Sequence, residues 1–383
     1  MNLSTFSCCF VLTIQIFLFS CRNENGQAKD EKHPSGGKEA TAHFKIQKAE
    51  NYSILTVNSP YVGSNLQEKY VLYQRGTPVP DLPEVTHYIP VPVNQLAIHS
   101  TTHLGFLAAL NQSDQISAAT NLELYFHPAF NQRIKEGKVN SIGYEVVEQE
   151  LLIDDASELL FSYAVDVQDI KSIEGLRKLG QKVILISEYM EKDPLLKASW
   201  IQVMALFFDG KTQNRADSIF KAVQANYRQL RQKANQYQDQ PKVMIGFPWK
   251  GSWFVSGGDS FQAKLIEDAG GKYIWSDHKQ SGGIPLSIEQ VIDDALKADY
   301  WINPGNQKSF SEMSKQNQLI QQFRAYQNHA VYHHYKRSNA GGANDYWERG
   351  VVRPDLILAD LIRIFHSDST SVGELYFYQK LAP

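Results

Sequence analysis

Cysteine is almost missing from this chain. Only Cys8, Cys9 and Cys21 occur in 383 residues, all within the first 21, so no C-x-x-C pair and no disulfide framework can be built from the rest. Excess charge is missing too: 38 basic against 41 acidic residues give a formal charge of −3, with no electrostatic case for nucleic-acid binding. No H-E-x-x-H, G-x-S-x-G or G-x-x-x-x-G-K is present, so the common signatures of metalloproteases, serine hydrolases and phosphate loops are excluded. What is there is ordinary: 43% hydrophobic and 21% charged residues exclude a disordered chain, a collagen and a polytopic membrane protein. A length of 383 residues sets two domains as the default.

The apolar run Phe6 to Phe19 is 14 residues long, too short for a spanning helix, which needs about 20, but suited to the core of a signal peptide. It ends in Leu18-Phe19-Ser20-Cys21 and gives way at once to Arg22-Asn23-Glu24-Asn25. An aliphatic residue, a small residue and a cysteine at that boundary resemble the lipobox of bacterial lipoproteins. The resemblance implies cleavage before Cys21 and acylation of that cysteine, which anchors the protein outside the cytoplasm. Met1 to Thr5 departs from the pattern in carrying no Lys or Arg; the residue-level alternative is an ordinary signal peptide that contains cysteines. Residues 21–45 are polar, with Gly, Pro, Ser and balanced charge, and read as a flexible tether behind a signal peptide over 1–20.

Beyond the tether, apolar β-rich runs alternate with helical patterns. Strands are expected at Gln95–Ser100, Gln115–Thr120, Glu158–Tyr163 and Lys182–Ser187, with helices over Thr102–Leu110 and Ile170–Leu179. The rhythm restarts with strands at Lys242–Phe247, Tyr300–Ile302 and Ala330–Tyr332. Helices are expected over Asp259–Ala269, Ser287–Leu296 and Ser311–Tyr326. Strands apolar on both faces and separated by helices indicate parallel sheets covered on both sides. The fold class is therefore α/β, with an N-terminal lobe over 46–190, a helical segment over 191–240 and a C-terminal lobe with a terminal helix over 241–383. Lys211 to Gln240 contains neither Gly nor Pro, and Ala216, Ile219, Val223, Tyr227, Leu230 and Ala234 fall on one helix face. A helix over 211–236 would be roughly 39 Å long, enough to bridge two lobes; the alternative is a long surface helix on one of them.

Candidate chemistry is sparse. Ser256-Gly-Gly-Asp-Ser-Phe261 reads as a turn followed by an Asp259 or Ser260 helix cap rather than a phosphate loop. Among eleven histidines, His99 and His103 fall on a strand and the following helix, and His333 and His334 point to opposite faces of a strand. Neither pair makes a metal site, and a binding protein is expected rather than an enzyme.

A tethered pair of α/β lobes joined by a long helix resembles the substrate-binding proteins of ABC importers for iron chelates (siderophores, haem) and cobalamin, the helical-backbone class. The resemblance spans about 46–383. It is sharpest over Gly342-Ala-Asn-Asp-Tyr-Trp-Glu-Arg-Gly-Val-Val-Arg-Pro-Asp355 to His366 with Glu374 to Leu381, and extends to Val91 to His103 and Ser187 to Trp200. It implies a docking glutamate on each lobe for an arginine pocket of the permease: Glu289, which also lies in the first turn behind a Ser287/Gln290 capping box, and Glu150. The family usually shows Pro-Asp where this sequence has Ser157-Glu158, which leaves Glu148 as an alternative to Glu150. Ligand contacts are expected from Trp249 and Trp253, which leave the first C-lobe strand at its carboxyl end, then from Tyr346, Trp347 and Arg349, and on the N-lobe from Thr102 and His103. For each aromatic, ordinary core packing is the competing reading.

The resulting expectation is a monomeric, lipid-anchored, extracytoplasmic receptor with no cofactor of its own and no catalysis. It would capture an iron chelate or haem and deliver it to an ABC permease driven by its ATPase. Cobalamin is the alternative cargo. A free metal ion, or a two-lobed α/β enzyme such as a chelate reductase or hydrolase, are the readings from other classes.

Overall fold

A four-stranded sheet over residues 44–91 precedes everything the strand–helix rhythm predicts. β1 (Phe44–Lys48), β2 (Tyr52–Asn58) and β3 (Gln67–Gln74) are antiparallel, and β4 (His87–Val91) runs parallel to β3. Alternate residues Leu55, Val57, Tyr70, Leu72 and Ile89 enter the core, as the two-residue period of a half-buried sheet requires. The first strand begins inside the expected tether: the Phe44 ring packs edge-on against Trp200 at 5.1 Å. The computed structural model describes residues 42–83, 85, 87–367 and 374–383, so the signal peptide, Cys21 and nearly all of the tether lie outside the described residues.

The N-terminal lobe is built on β5 (Leu96–Ile98), β6 (Ile116–Ala119), β7 (Asn140–Ser141), β8 (Leu159–Ser162) and β9 (Val183–Leu185), all parallel, in the order β7-β6-β5-β8-β9. Successive side chains divide between two cores. Leu96, Ile98, Leu159 and Phe161 enter one, and Ala97, Leu160, Val183 and Leu185 the other. That is why these strands read as continuous apolar runs. Helices α1 (Thr101–Ala109), α2 (Pro128–Lys135), α3 (Gln149–Asp155) and α4 (Val167–Lys178) cover the sheet.

Two helices then cross between lobes. In α5 (Pro194–Ala205), Trp200 to Ala205 enters the N-terminal core, while Leu195 packs on the C-terminal one. In α6 (Gly210–Ala234), Ala216 belongs to the N-terminal core and Tyr227 and Ala234 to the C-terminal core. One apolar stripe thus serves two cores along about 37 Å of helix.

The C-terminal lobe opens with β10 (Lys242–Ile245) and a hairpin, β11 (Phe247–Trp249) and β12 (Ser252–Ser256). There follow α7 (Phe261–Asp268), β13 (Lys272–Tyr273), β14 (Gly283–Leu286), α8 (Ile288–Ala295) and β15 (Tyr300–Ile302). The chain ends with α9 (Phe310–Gln316), α10 (Arg324–Gln327), β16 (Val331–His333), α11 (Asp345–Val352), α12 (Pro354–His366) and β17 (Gln379–Lys380). The main sheet, β13-β10-β15-β16-β17, is parallel except for its last strand, and β11-β12-β14 form a separate antiparallel sheet. The single helix expected over 311–326 is broken instead. Asn317 turns extended, with φ −155°, and its side chain accepts from Leu319 N at 2.9 Å, starting a short 3-10 turn; Phe323 is extended again before α10. A local Asn cap outcompetes helix continuation there.

Candidate functional site

The loops at the carboxyl ends of both parallel sheets meet at two edges of the lobe junction. After β6, the peptide N–H groups of Phe126 and His127 reach the Glu348 carboxylate of α11. The guanidinium of Arg337, after β16, lies 5.7 Å from the Phe126 ring. At the other edge, after β9, Lys192 pairs with Asp259 at 3.6 Å and Lys197 Nζ sits 5.0 Å over the Phe261 ring. Between these edges the strand ends of one sheet face those of the other, the position where open α/β sheets bind ligands.

Three large aromatic rings beyond these strand ends stand in solvent: Tyr144 after β7 (64% exposed), Trp249 at the tip of the β11–β12 hairpin (61%) and Trp347 in the first turn of α11 (44%). The hairpin holds Trp249 out through the turn at Lys250 and Gly251, both at positive φ, with Lys250 Nζ 4.3 Å from the indole centroid. The hairpin departs at Gly246 (φ +82°), where a Cβ would lie 2.2 Å from the Phe254 carbonyl oxygen, so only glycine fits.

The expected ligand residues therefore separate. Trp249 and Trp347 present surface, and Thr102 is half-buried at the start of α1, beside the Ser100 cap (Oγ to Thr102 N, 3.2 Å). Trp253, four residues from Trp249, is completely buried: its ring stacks on Trp301 at 5.3 Å and Nε1 donates to the Ile245 carbonyl at 3.1 Å. It is a core residue, a correction to the expectation of ligand contact. His103 is corrected likewise, enclosed against Phe161 with a pKa driven down to about 3 by burial. Tyr346, 3% exposed, packs 4.3 Å from His334 in the C-terminal core. Arg349 is solvent-accessible but opens on a separate pocket beside α6.

Residues to which the sequence gives no ligand role also stand at the strand ends. His99 stacks on Tyr163 at 4.8 Å and contacts Ser162 Oγ at 2.9 Å, beside a cavity of about 180 Å³ that also reaches Asp169 and Val146. Across the junction, Tyr335 OH bonds Asn306 at 2.6 Å. His99, Ser162, Tyr163, Asn306 and Tyr335 lie at or within four residues of the ends of β5, β8, β15 and β16; strand-end position is the signal that marks them. A larger cavity, about 760 Å³, opens at the opposite, amino-terminal ends of β10, β15 and β16, away from these loops.

Buried polar atoms concentrate at the same strand ends. Both ring nitrogens of His103, Ser187 Oγ, Glu188 Oε2, His334 Nε2 and Asn344 Nδ2 have no hydrogen-bond partner of good geometry, an arrangement native cores rarely tolerate without a reason. Burial raises the Glu188 pKa and lowers that of Lys197 nearby. His334, held by Asn303 Oδ1 at 2.8 Å, is pushed down to about 3 by burial, so its ring is neutral. Among the described residues no group of three or more His, Cys, Asp or Glu side chains is placed to hold a metal ion.

Residues 198–337 match the periplasmic binding protein family. A possible iron-binding periplasmic solute-binding protein from Staphylococcus epidermidis superposes with a TM-score of 0.56 at 16% identity, covering 72% of this chain and 100% of its own. A periplasmic heme-binding protein from Pseudomonas aeruginosa gives 0.57 at 16% identity, covering 76% and 99%. This chain has the periplasmic binding protein fold. In sequence, it is 24% identical over 329 residues to an uncharacterised lipoprotein of Methanocaldococcus jannaschii, covering 82% of this chain and 76% of that protein. A second lipoprotein of that organism is 25% identical over 293 residues.

On this periplasmic binding protein fold the two glutamates singled out in the sequence take equivalent positions. Glu150 and Glu289 are each the second residue of a helix, α3 and α8, and both are exposed. The Ser287/Gln290 capping box is formed, at 3.2 and 2.9 Å, and the Glu289 pKa is lowered by its backbone N–H and the Ser287 hydroxyl. Glu148 is the residue before α3 and caps nothing with its side chain. The departure at Ser157-Glu158 is built in: Ser157 and Ser117 bond the buried Asp155 carboxylate that closes α3, Asn140 Nδ2 bonds it at 2.7 Å, and Glu158 pairs with Arg75 at 2.5 Å.

Proposed function

We propose that this protein is the lipid-anchored, extracytoplasmic receptor of an ABC importer, anchored through Cys21, which captures an iron chelate or haem between its lobes. The observation that carries this reading is the set of solvent-exposed rings, Tyr144, Trp249 and Trp347, beyond the strand ends of both lobes. Exposed apolar rings beyond the strand ends of two facing sheets suit a large, partly apolar ligand. The lipoprotein relatives support the anchor, and the iron- and heme-binding neighbours support the cargo class. A vitamin B12-binding protein of Vibrio cholerae shares the fold at a TM-score of 0.51, which makes a corrinoid the second cargo to test.

Glu150 and Glu289, matched in helix position and exposure, would dock the permease and leave catalysis of transport to its ATPase. Tryptophan fluorescence titrated with a ferric siderophore, haem and cobalamin is expected to show submicromolar quenching by one of them. No binding to any of the three would overturn the reading. Replacing Glu150 and Glu289 with Ala is expected to abolish uptake in cells while leaving that titration unchanged; loss of binding instead would place these carboxylates in the cleft.

A further inference from the structure

A further pocket lies where α1, α6 and α11 come together. Its volume is about 290 Å³, at the small end of ligand cavities. Each helix contributes side chains at helical spacing. Arg349 comes from α11 and Arg353 caps its C-terminal end, Arg215 and Ile219, four apart, come from α6, and the small face of Gly105 and Ala108 from α1. The α1 face is flat because the helices touch by backbone: a Cβ on Gly105 would sit 2.0 Å from the Glu348 carbonyl oxygen.

The charge balance of this pocket favours an anion. Arg215 Nε donates to the Ala109 carbonyl at 2.7 Å, and neither of its Nη groups has a partner among the described residues. Arg349 uses Nη1 on the Tyr376 hydroxyl and Nε on Asp345 at 3.5 Å, and its Nη2 is unused. Arg353 spends Nε and Nη2 on Asp355, each at 2.8 Å, and keeps Nη1. The two acids on the pocket wall are already engaged: Asp345 takes Arg337 Nε at 2.6 Å, and both Glu348 oxygens accept the peptide N–H groups of Phe126 and His127. His127 Nδ1 accepts Phe130 N at 3.3 Å, so its neutral ring carries the proton on Nε2 as one more donor.

We propose that this pocket is an anion site for a small oxyanion with two or more negative charges, of the size of phosphate or a compact polycarboxylate. Forked guanidinium donors from two helices match such an ion in geometry as well as charge. Bound there, it would link α6, which spans both lobes, to α11, whose Tyr346 and Val351 also lie in different cores. None of Tyr144, Trp249 and Trp347 lines the site, so it stands or falls independently of the cargo proposed above.

The test is thermal denaturation and calorimetric titration of the full-length protein in low-salt buffer with inorganic phosphate, citrate and, as a monoanion control, acetate. Phosphate or citrate is expected to bind saturably and raise the melting temperature, whereas acetate does not. Arg215→Gln, an exposed position, is expected to weaken that affinity about ten- to a hundredfold, the range for losing one or two charge-assisted hydrogen bonds, with chelate quenching unchanged. Absence of saturable binding by the wild-type protein overturns the proposal by itself, whatever the variant does. So does an affinity in Arg215→Gln equal to that of the wild type.

Discussion

Trp249 and Trp253 are four residues apart in one hairpin and have opposite fates. The turn at Lys250-Gly251 sets which ring goes in: Trp249 pairs with Ser252 across the hairpin, and Trp253 with Pro248. Trp253 then fills the space against Trp301 and Phe323, at 5.3 and 5.7 Å. Composition and spacing do not reveal that choice, because both residues sit on aromatic-rich strand ends; the pairing register does. Trp253→Ala is expected to destabilise the protein by about 3–5 kcal/mol, the range for emptying a buried aromatic site. Trp249→Ala should leave stability within about 0.5 kcal/mol and instead weaken chelate binding. Urea denaturation and the fluorescence titration, run on both variants, check the pair. Equal losses of stability would contradict the assignment.

At the scale of elements, legibility followed the locality of the signal. The capping box of α8 and the Ser260 cap of α7 are written in a few adjacent residues, and the sequence shows them. The bridge α6 was legible because 25 residues keep one apolar stripe. The sheet β1 to β4 was not, since two of its strands begin or end in Lys or Gln and the four follow one another with no helix between them. Nor was the partnership of α1 with α11, which joins residues more than two hundred positions apart. Gly105 shows what that contact demands. In an isolated helix, glycine to alanine would stabilise by about 1 kcal/mol; here the new methyl collides with the Glu348 backbone, which cannot move like a side-chain tip. The collision wins, and Gly105→Ala is expected to lower stability by about 1–3 kcal/mol, read as a lower denaturation midpoint. A variant more stable than wild type would show that the helices separate freely.

Across the whole molecule, buried titrating groups at the strand ends set how stability changes with pH. His103 in one lobe and His334 in the other have folded pKa values of about 3 against 6.5 for a free histidine. As pH falls below 6.5 the unfolded chain takes up protons that the folded one refuses, so stability is full above 6.5 and lost toward pH 3. His99, His127 and His333, also lowered by burial, add to the same acid limb. Glu348 works the other way. Burial raises its carboxyl from 4.5 to about 8, so its stabilisation is complete below pH 4.5 and is lost as pH rises through 8; Glu188 and Asp360, raised for the same reason, share that sign. Between 4.5 and 6.5 the histidines and the acids act in opposite senses; above 6.5 the histidines drop out, and Glu348 lowers stability up to about 8 while Lys197, held below its usual value by burial, acts against it. The melting temperature is therefore expected to peak near neutrality, falling on both sides. His334→Gln should flatten the acid limb, because Gln cannot take up the proton. Glu348→Gln, which cannot ionise but keeps only one of the two acceptor oxygens for the Phe126 and His127 N–H groups, should lower stability at every pH, flatten the alkaline limb and leave the slope of the acid one unchanged. Melting curves of the three proteins from pH 4 to 9 decide it: wild-type slopes that persist in both variants would mean that these groups titrate freely and that the junction is wetter than its packing indicates.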